Sequence, residues 1–263
     1  MNVKVNALKF AATVASFALF FGIWWGVARF SGIAPYLLPP PEQVFATLVG
    51  ALDGSIRTTH LWSDILVSLQ RQLVGFGFAV LFGVPLGIAC GYIQGATLGV
   101  DRLLRVVYPI PTFAWIPLVL IWFGPGGQAI TFMVAISAFW PIYMQAYQGT
   151  RQISARYLWV ADALGANRAS IARSVLFPGS LPFLLNGLRL GYGEAWRLLV
   201  AAEIILATAG LGHFIQISRS TLDVDRVIAG MAVIGILGFL VERFAFDRIE
   251  RMTIGRWRRI SAA

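Results

Sequence analysis

Residues Tyr157 to Pro182 read Tyr-Leu-Trp-Val-Ala-Asp-Ala-Leu-Gly-Ala-Asn-Arg-Ala-Ser-Ile-Ala-Arg-Ser-Val-Leu-Phe-Pro-Gly-Ser-Leu-Pro. This is the longest polar-containing interruption between apolar segments on the basic side of the chain. Its pattern predicts a short helix, Tyr157 to Leu164, then a stop at Gly165, then a second helix opened by Asn167. Asn is a good N-cap, and Gly just past a helix end accepts the left-handed turn that other residues resist. A helix-turn-helix between two apolar segments has two readings. One is a rigid handle gripped by another protein; the other is an amphipathic loop lying on a bilayer.

The flanking composition places that handle in a membrane protein. Of 263 residues, 58% are hydrophobic and 13% charged, and the mean hydropathy is +0.74. Soluble domains carry about twice that charge. The apolar runs are continuous, which argues for membrane-spanning helices rather than the short alternating strands of a barrel. The net charge of +9 would suggest nucleic acid in a soluble protein; here it follows the distribution of arginines around the spans. A single cysteine, Cys90, excludes a disulfide framework, and His60 and His213 sit in no ligand-like cluster.

Six spans follow, at residues 10–30, 73–92, 104–123, 129–147, 184–207 and 227–244, so the fold expected is all-α and polytopic, one transmembrane domain over residues 1–263. The first run is too long for a signal-peptide core and lacks a convincing cleavage site. Pro39-Pro40-Pro41 makes a stiff break before an amphipathic helix, Glu42 to Leu52. In the second span, Gly75, Ala79, Gly83, Gly87, Gly91 and Gly95 recur every four residues, a small-residue stripe for close helix approach. Pro85 should kink that span. The third span holds Pro109, Pro111 and Pro117, so a regular helix is not expected there. Broken helices at membrane depth survive only beside protein or a water-filled cavity. Arg71, between two glutamines, reads as a snorkelling residue at the outer end of span two.

Six spans put both termini on one side. The N-terminus, residues 96–105, the 149–177 loop and the tail hold Lys4, Lys9, Arg102, Arg105, Arg151, Arg156, Arg168, Arg173 and six tail arginines, fourteen of the 21 basic residues. The opposite loops hold Arg57, Arg219 and Arg226, with Arg29 at a boundary. By the positive-inside rule, the termini and the 149–178 region are cytoplasmic.

Chemistry-bearing residues are few. Lysine occurs only at positions 4 and 9, so no Gly-x-x-x-x-Gly-Lys-Ser/Thr loop exists and ATP, if used, binds another chain. Neither a Ser-His-Asp arrangement nor His-Glu-x-x-His is legible. The costly residues are Arg189, Glu194, Arg197 and Glu203 in the fifth span. Glu194 and Arg197 are three apart and can pair, and Glu203 is expected near the same side. These four either line a hydrated translocation path or form a buried structural network. Glu194 and Arg197, near mid-span, lean toward the path.

The 157–182 stretch resembles the cytoplasmic loop of inner-membrane permease subunits of binding-protein-dependent ABC importers. That loop has the pattern Glu-Ala-Ala, three residues, Gly, nine residues, Ile-x-Leu-Pro. Gly165 takes the glycine and Val175-Leu176-Phe177-Pro178 the end, whereas Trp159-Val160-Ala161 stands where Glu-Ala-Ala would be. Leu38-Pro39-Pro40-Pro41, Gly83-x-Pro-Leu-Gly87, Pro117-Leu118, Trp122-Phe123-Gly124, Phe139-Trp140-Pro141-Ile142, Gly187-Leu188-Arg189 and Val200-Ala201-Ala202-Glu203 extend the likeness to the nitrate/sulfonate/taurine branch. The resemblance implies the type I importer architecture. It implies a second permease copy, two cytoplasmic ATP-binding subunits that hold ATP and magnesium, and a periplasmic or lipid-anchored substrate-binding protein. Neither nucleic acid nor a cofactor in this chain is implied. Contact with the ATPase falls to Tyr157, Leu158, Ala161, Asp162, Leu164, Gly165, Ala166 and Arg168. An ATP-independent channel or secondary transporter, and a membrane enzyme or scaffold, are the competing functions. The substrate expected is a small anion such as a sulfonate, taurine or nitrate.

Overall fold

The structure, a computed structural model, describes residues 2–53 and 61–260; Arg57 and His60 lie outside them. Thirteen α-helices run in order through the described residues. They are α1 (Asn2–Phe30), α2 (Pro41–Leu52), α3 (Leu61–Tyr92), α4 (Gln94–Ala96), α5 (Arg102–Val107), α6 (Ile116–Phe123) and α7 (Gly127–Arg151). After these come α8 (Ala155–Ala163), α9 (Arg168–Ile171), α10 (Phe177–Leu206), α11 (Leu211–Ser220), α12 (Val224–Leu240) and α13 (Asp247–Ile260).

Among the described residues, four helical segments are long and apolar enough to cross a membrane: residues 11–30, 61–92, 127–151 and 224–253. Two bent pairs can each supply one more, which brings the count to six. The first pair, residues 97–107 and 112–123, turns through 88°. Its cause is the expected one. Pro109 and Pro111 occupy the break, and Pro117 sits in the first turn of α6, where its missing N–H costs no helical hydrogen bond. The second pair joins α10 to α11 at 46°.

α7 is the centre of the bundle, held between α3 and α10. Ala129, Ile130, Met133, Val134 and Ala138 have no exposed surface. In a bilayer the apolar effect does not draw helices together, so close van der Waals packing must. The small-residue stripe supplies it. A Cβ placed on Gly75 would lie 2.7 Å from the carbonyl of Thr131, and one on Gly91 2.9 Å from that of Tyr147. Gly95, the last member of the stripe, meets nothing, because α3 has already ended at Tyr92. On the far side of α7, Gly187 and Gly191 of α10 pack on Gln145, Ile142 and Ala138 in the same way.

α3 begins twelve residues earlier than the hydropathy pattern suggests. Asp64, Arg71 and Gln72 obscure its first third, yet each has a partner in the fold: the Gly210 N–H, Glu203 and the Tyr192 carbonyl. Similarly, residues read as an outer loop form α11, whose Leu211, Phe214 and Ser218 are buried. α1 stands apart, with Trp24 donating to the Pro39 carbonyl at 3.2 Å and nearly every side chain from residue 11 exposed. α2 is tied to α12 by Thr47, whose hydroxyl donates to Asp225 at 2.6 Å.

Candidate functional site

The helix α8 projects from the end of the bundle where α3 and α7 finish and α10 begins. Ser154 caps its start, its hydroxyl accepting from the Arg156 N–H. Two hydrogen bonds close its other end. Gly165 N–H donates to the Asp162 carbonyl at 2.9 Å, and Ala166 N–H to the Ala161 carbonyl at 3.0 Å. That pair of bonds is the Schellman arrangement, and it requires the left-handed φ of +74° that Gly165 adopts. Asn167 then caps α9, its side-chain oxygen accepting from Ser170 N–H at 2.8 Å. The handle is therefore rigid at both joints. Leu158 and Ala161 turn inward, whereas Tyr157, Asp162, Leu164 and Arg168 are exposed. So are Trp159 at 71% and Val160 at 53%.

Above it, α10 carries a polar stripe. Asn186, Glu194 and Arg197 share an exposed face, interrupted by the apolar Leu190, while Gly187, Gly191, Ala195 and Leu198 between them are buried against α7 and its neighbours. Arg197 donates to Glu194 at 2.8 Å, the two side chains being 70% and 55% exposed. Among the described residues both side chains stay mostly uncovered.

Glu203 does not share that face. Six residues turn a helix by about 600°, which leaves Glu203 about 120° from Arg197. It points instead at α3 and has no exposed surface. Ser68 donates to both of its oxygens at 2.8 and 2.7 Å, Arg71 to one at 2.8 Å, and Gly212 N–H to the other at 3.0 Å. Arg71 also donates to the Ala209 carbonyl at 2.7 Å, and Asp64 accepts from Gly210 N–H at 2.7 Å. The cluster ties α3 to the bend between α10 and α11, satisfying backbone groups that the bend frees.

Arg71 is thus not a snorkelling residue. Its side chain is 12% exposed, because a buried carboxylate needs its charge matched more than a cation needs the interface. Arg189 likewise leaves the Glu194 stripe for α13, donating to Asp247 at 2.9 Å and Glu250 at 3.2 Å. Asp101 fastens the turn after α4 to α7, accepting from the Tyr143 hydroxyl at 2.7 Å and from Arg105 at 2.8 Å. Sequence reading missed Ser68, Asp64 and Asn186. The first two differ from ordinary helix-surface polar residues only through partners more than 130 positions away. Asn186 was legible as one more polar residue, eight positions before Glu194 on the same face.

Beside Arg71 a cleft of about 940 Å³ opens between α3, α6 and α7. Phe78, Phe82, Phe123, Phe132 and Phe139 wall it, with Gln70, Gln128 and Thr131 among them. Its aromatic walls suit apolar filling rather than a hydrated path.

A bundle with broken spans, a polar stripe at membrane depth and a rigid external handle is that of a helical transport protein. The chain belongs to the binding-protein-dependent transport system inner membrane component family, whose model matches residues 83–258. It is 38% identical over 232 residues to the taurine transport system permease protein TauC of Escherichia coli, covering 88% of this chain and 84% of that one. It is 32% identical to the nitrate import permease protein NrtB of Synechocystis, over 79% and 77% of the two chains. Its fold matches an inward-facing form of the MetNI methionine ABC transporter, with a TM-score of 0.63 at 22% identity, over 72% of this chain and 94% of that one. The chain is therefore the membrane-embedded permease subunit of an ABC importer, a transport subunit and not itself the ATPase.

Proposed function

We propose that two copies of this chain enclose a path for a small organic anion of the sulfonate type, along the Asn186–Arg197 face of α10. The observation that carries this is the Glu194–Arg197 pair. It sits in the second half of a 30-residue helix, more than two turns from its end, and is more than half exposed in the single chain. Charges at membrane depth face a protein interior or water, not hydrocarbon, so a second copy or a hydrated channel covers this face. Arg189 and Glu203 support the path from behind, anchoring α10 to α13 and α3.

Orientation follows the arginines: both termini and the 149–178 region lie in the cytoplasm. There α8, through Tyr157, Leu158, Ala161, Asp162, Leu164, Gly165, Ala166 and Arg168, meets the partner that binds ATP and magnesium. A substrate-binding protein delivers from the other side. Taurine and nitrate, named for two relatives, both carry a small oxyanion group, the sulfonate of zwitterionic taurine and nitrate itself, and Arg197 offers the stripe a cation. Import then requires only that outward and inward states lie within a few kcal/mol of each other, so that nucleotide and substrate can shift their populations.

The test is reconstitution in proteoliposomes with the ATPase and binding protein encoded beside it. Gly165→Pro cannot adopt φ +74° and removes the N–H given to Asp162. Binding-protein-stimulated ATP hydrolysis should fall to the basal rate, with the membrane fold intact by thermal melting. A variant as active as the native chain would reduce the handle to a surface loop, and flux without any ATPase would favour a channel. Arg197→Gln should lower anion uptake by about tenfold or more, since it leaves the Glu194 carboxylate alone to repel the substrate. Unchanged uptake would place the path elsewhere.

A further inference from the structure

We infer that a pocket between α10 and the end of α12 takes the cationic end of the transported molecule, so that the cargo is a small organic anion that also carries an ammonium group. This rests on the reading of the Asn186–Arg197 face as the path and adds what that path selects. The pocket holds about 250 Å³. Arg189, Tyr192, Trp196 and Arg197 line it from α10, and Glu242 and Phe246 from the opposite side. The α10 residues are three and four apart and share one helix face, which adjoins the exposed stripe at Arg197. Between α12 and α13 the chain makes one π-helical turn, Val241–Phe246, a feature that recurs at functional sites. Phe246 packs edge-on against Tyr192 with ring centroids 5.6 Å apart, and Tyr192 stacks on Trp196 at 6.3 Å.

The charges decide what fills the pocket. Arg197 is paired with Glu194, Arg189 with Asp247 and Glu250, and Arg243 shares Asp247. These three cations and three anions cancel. Glu242 forms no ion pair among the described residues, although two arginines line the same pocket. The surplus charge is therefore one carboxylate. Solvation alone does not account for its setting, since Tyr192, Trp196 and Phe246 are all buried and give the pocket an aromatic floor. A carboxylate beside aromatic rings attracts a cation and repels a lone anion. The stripe offers an oxyanion Arg197, and the pocket beside it offers an ammonium Glu242. One molecule with both groups satisfies both, and a volume below the roughly 300–1,000 Å³ of drug-sized sites limits it to a small one.

The experiment measures binding to the full-length chain assembled with its ATPase in nanodiscs, without nucleotide and without the binding protein, whose own selectivity would mask that of the path. The probes are taurine and isethionate, sulfonates of matched size in which an ammonium is replaced by a hydroxyl. Saturation-transfer NMR titrations give the affinity of each for native, Glu242→Gln and Arg197→Gln chains. Glu242 is exposed, so Glu242→Gln should melt with the native protein, and that melt is recorded first. The native assembly should bind taurine at least about tenfold more tightly than isethionate, as a charge-assisted contact to the ammonium supplies. Glu242→Gln should bring taurine down to the level of isethionate and leave isethionate within about twofold. Arg197→Gln should weaken both probes alike. Equal binding of the two probes by the native chain, or a preference that survives Glu242→Gln, would overturn the inference and leave the path reading standing on the uptake defect of Arg197→Gln. Unchanged uptake by Arg197→Gln would instead remove the path, and the inference with it.

Discussion

Glu203→Ala should destabilise the chain by about 3–5 kcal/mol, the cost of breaking a buried ion pair and leaving one partner behind. The geometry makes this the most exposed weakness in the fold. Glu203 is fully buried and receives Ser68, Arg71 and the Gly212 N–H. Without it, the Arg71 guanidinium keeps only the Ala209 carbonyl among these partners, and two further donors lose their acceptor. Glu203→Gln keeps the shape and part of the hydrogen bonding but loses the charge, so it should fall between. The double variant Arg71→Met with Glu203→Gln should be less damaged than the sum of its singles, because neither charge is then stranded. Unfolding of the solubilised chain in increasing denaturing detergent measures all of these. The break between α10 and α11 should also become sensitive to protease near residues 207–210. A Glu203→Ala chain that unfolds with the native protein would show that the cluster is not structural.

Gly87→Leu should prevent the bundle from assembling. A Cβ at Gly87 would lie 2.5 Å from the Ala146 Cβ and 2.6 Å from the Tyr143 carbonyl. Backbone cannot yield as a flexible side chain can, so α3 and α7 must separate and lose contact along the seam from Gly75 to Gly91. Overpacking in a filled core costs about 1–3 kcal/mol and sometimes more; a leucine against helix backbone belongs at or above the top of that range. Gly77 supplies the control. It lies on the same helix with open space where its Cβ would be, so Gly77→Ala should be neutral or stabilise by about 0.5–1 kcal/mol. Expression in the membrane fraction and monodisperse elution distinguish the two variants. Equal yields of both would mean that the α3–α7 seam is not close-packed.

How the charged residues of the fifth span divide shows where sequence reasoning stops. Four ionisable groups at membrane depth announced a site, and spacing paired Glu194 with Arg197 correctly. Spacing also suggested that Glu203 lies near them, yet a helix turns by about 100° per residue and six residues carry it to another face. Arg189 found its partners on α13, nearly sixty residues away. Arg71 looked like an interface residue because its carboxylate partner stands 132 positions along the chain.

The sequence by itself determined the class of fold, the proline break of the third span, the small-residue seam, the glycine stop of α8 and the Asn167 cap of α9, because each depends on residues within a few turns of one another. Hydropathy, glycine recurrence and Asn or Gly at a helix end act locally and survive without knowledge of the fold. Only the tertiary structure decided which polar residues were structural and which remained exposed. Burying a charge is tolerated only when a partner from another helix meets it, and no local pattern says where in space that partner will be.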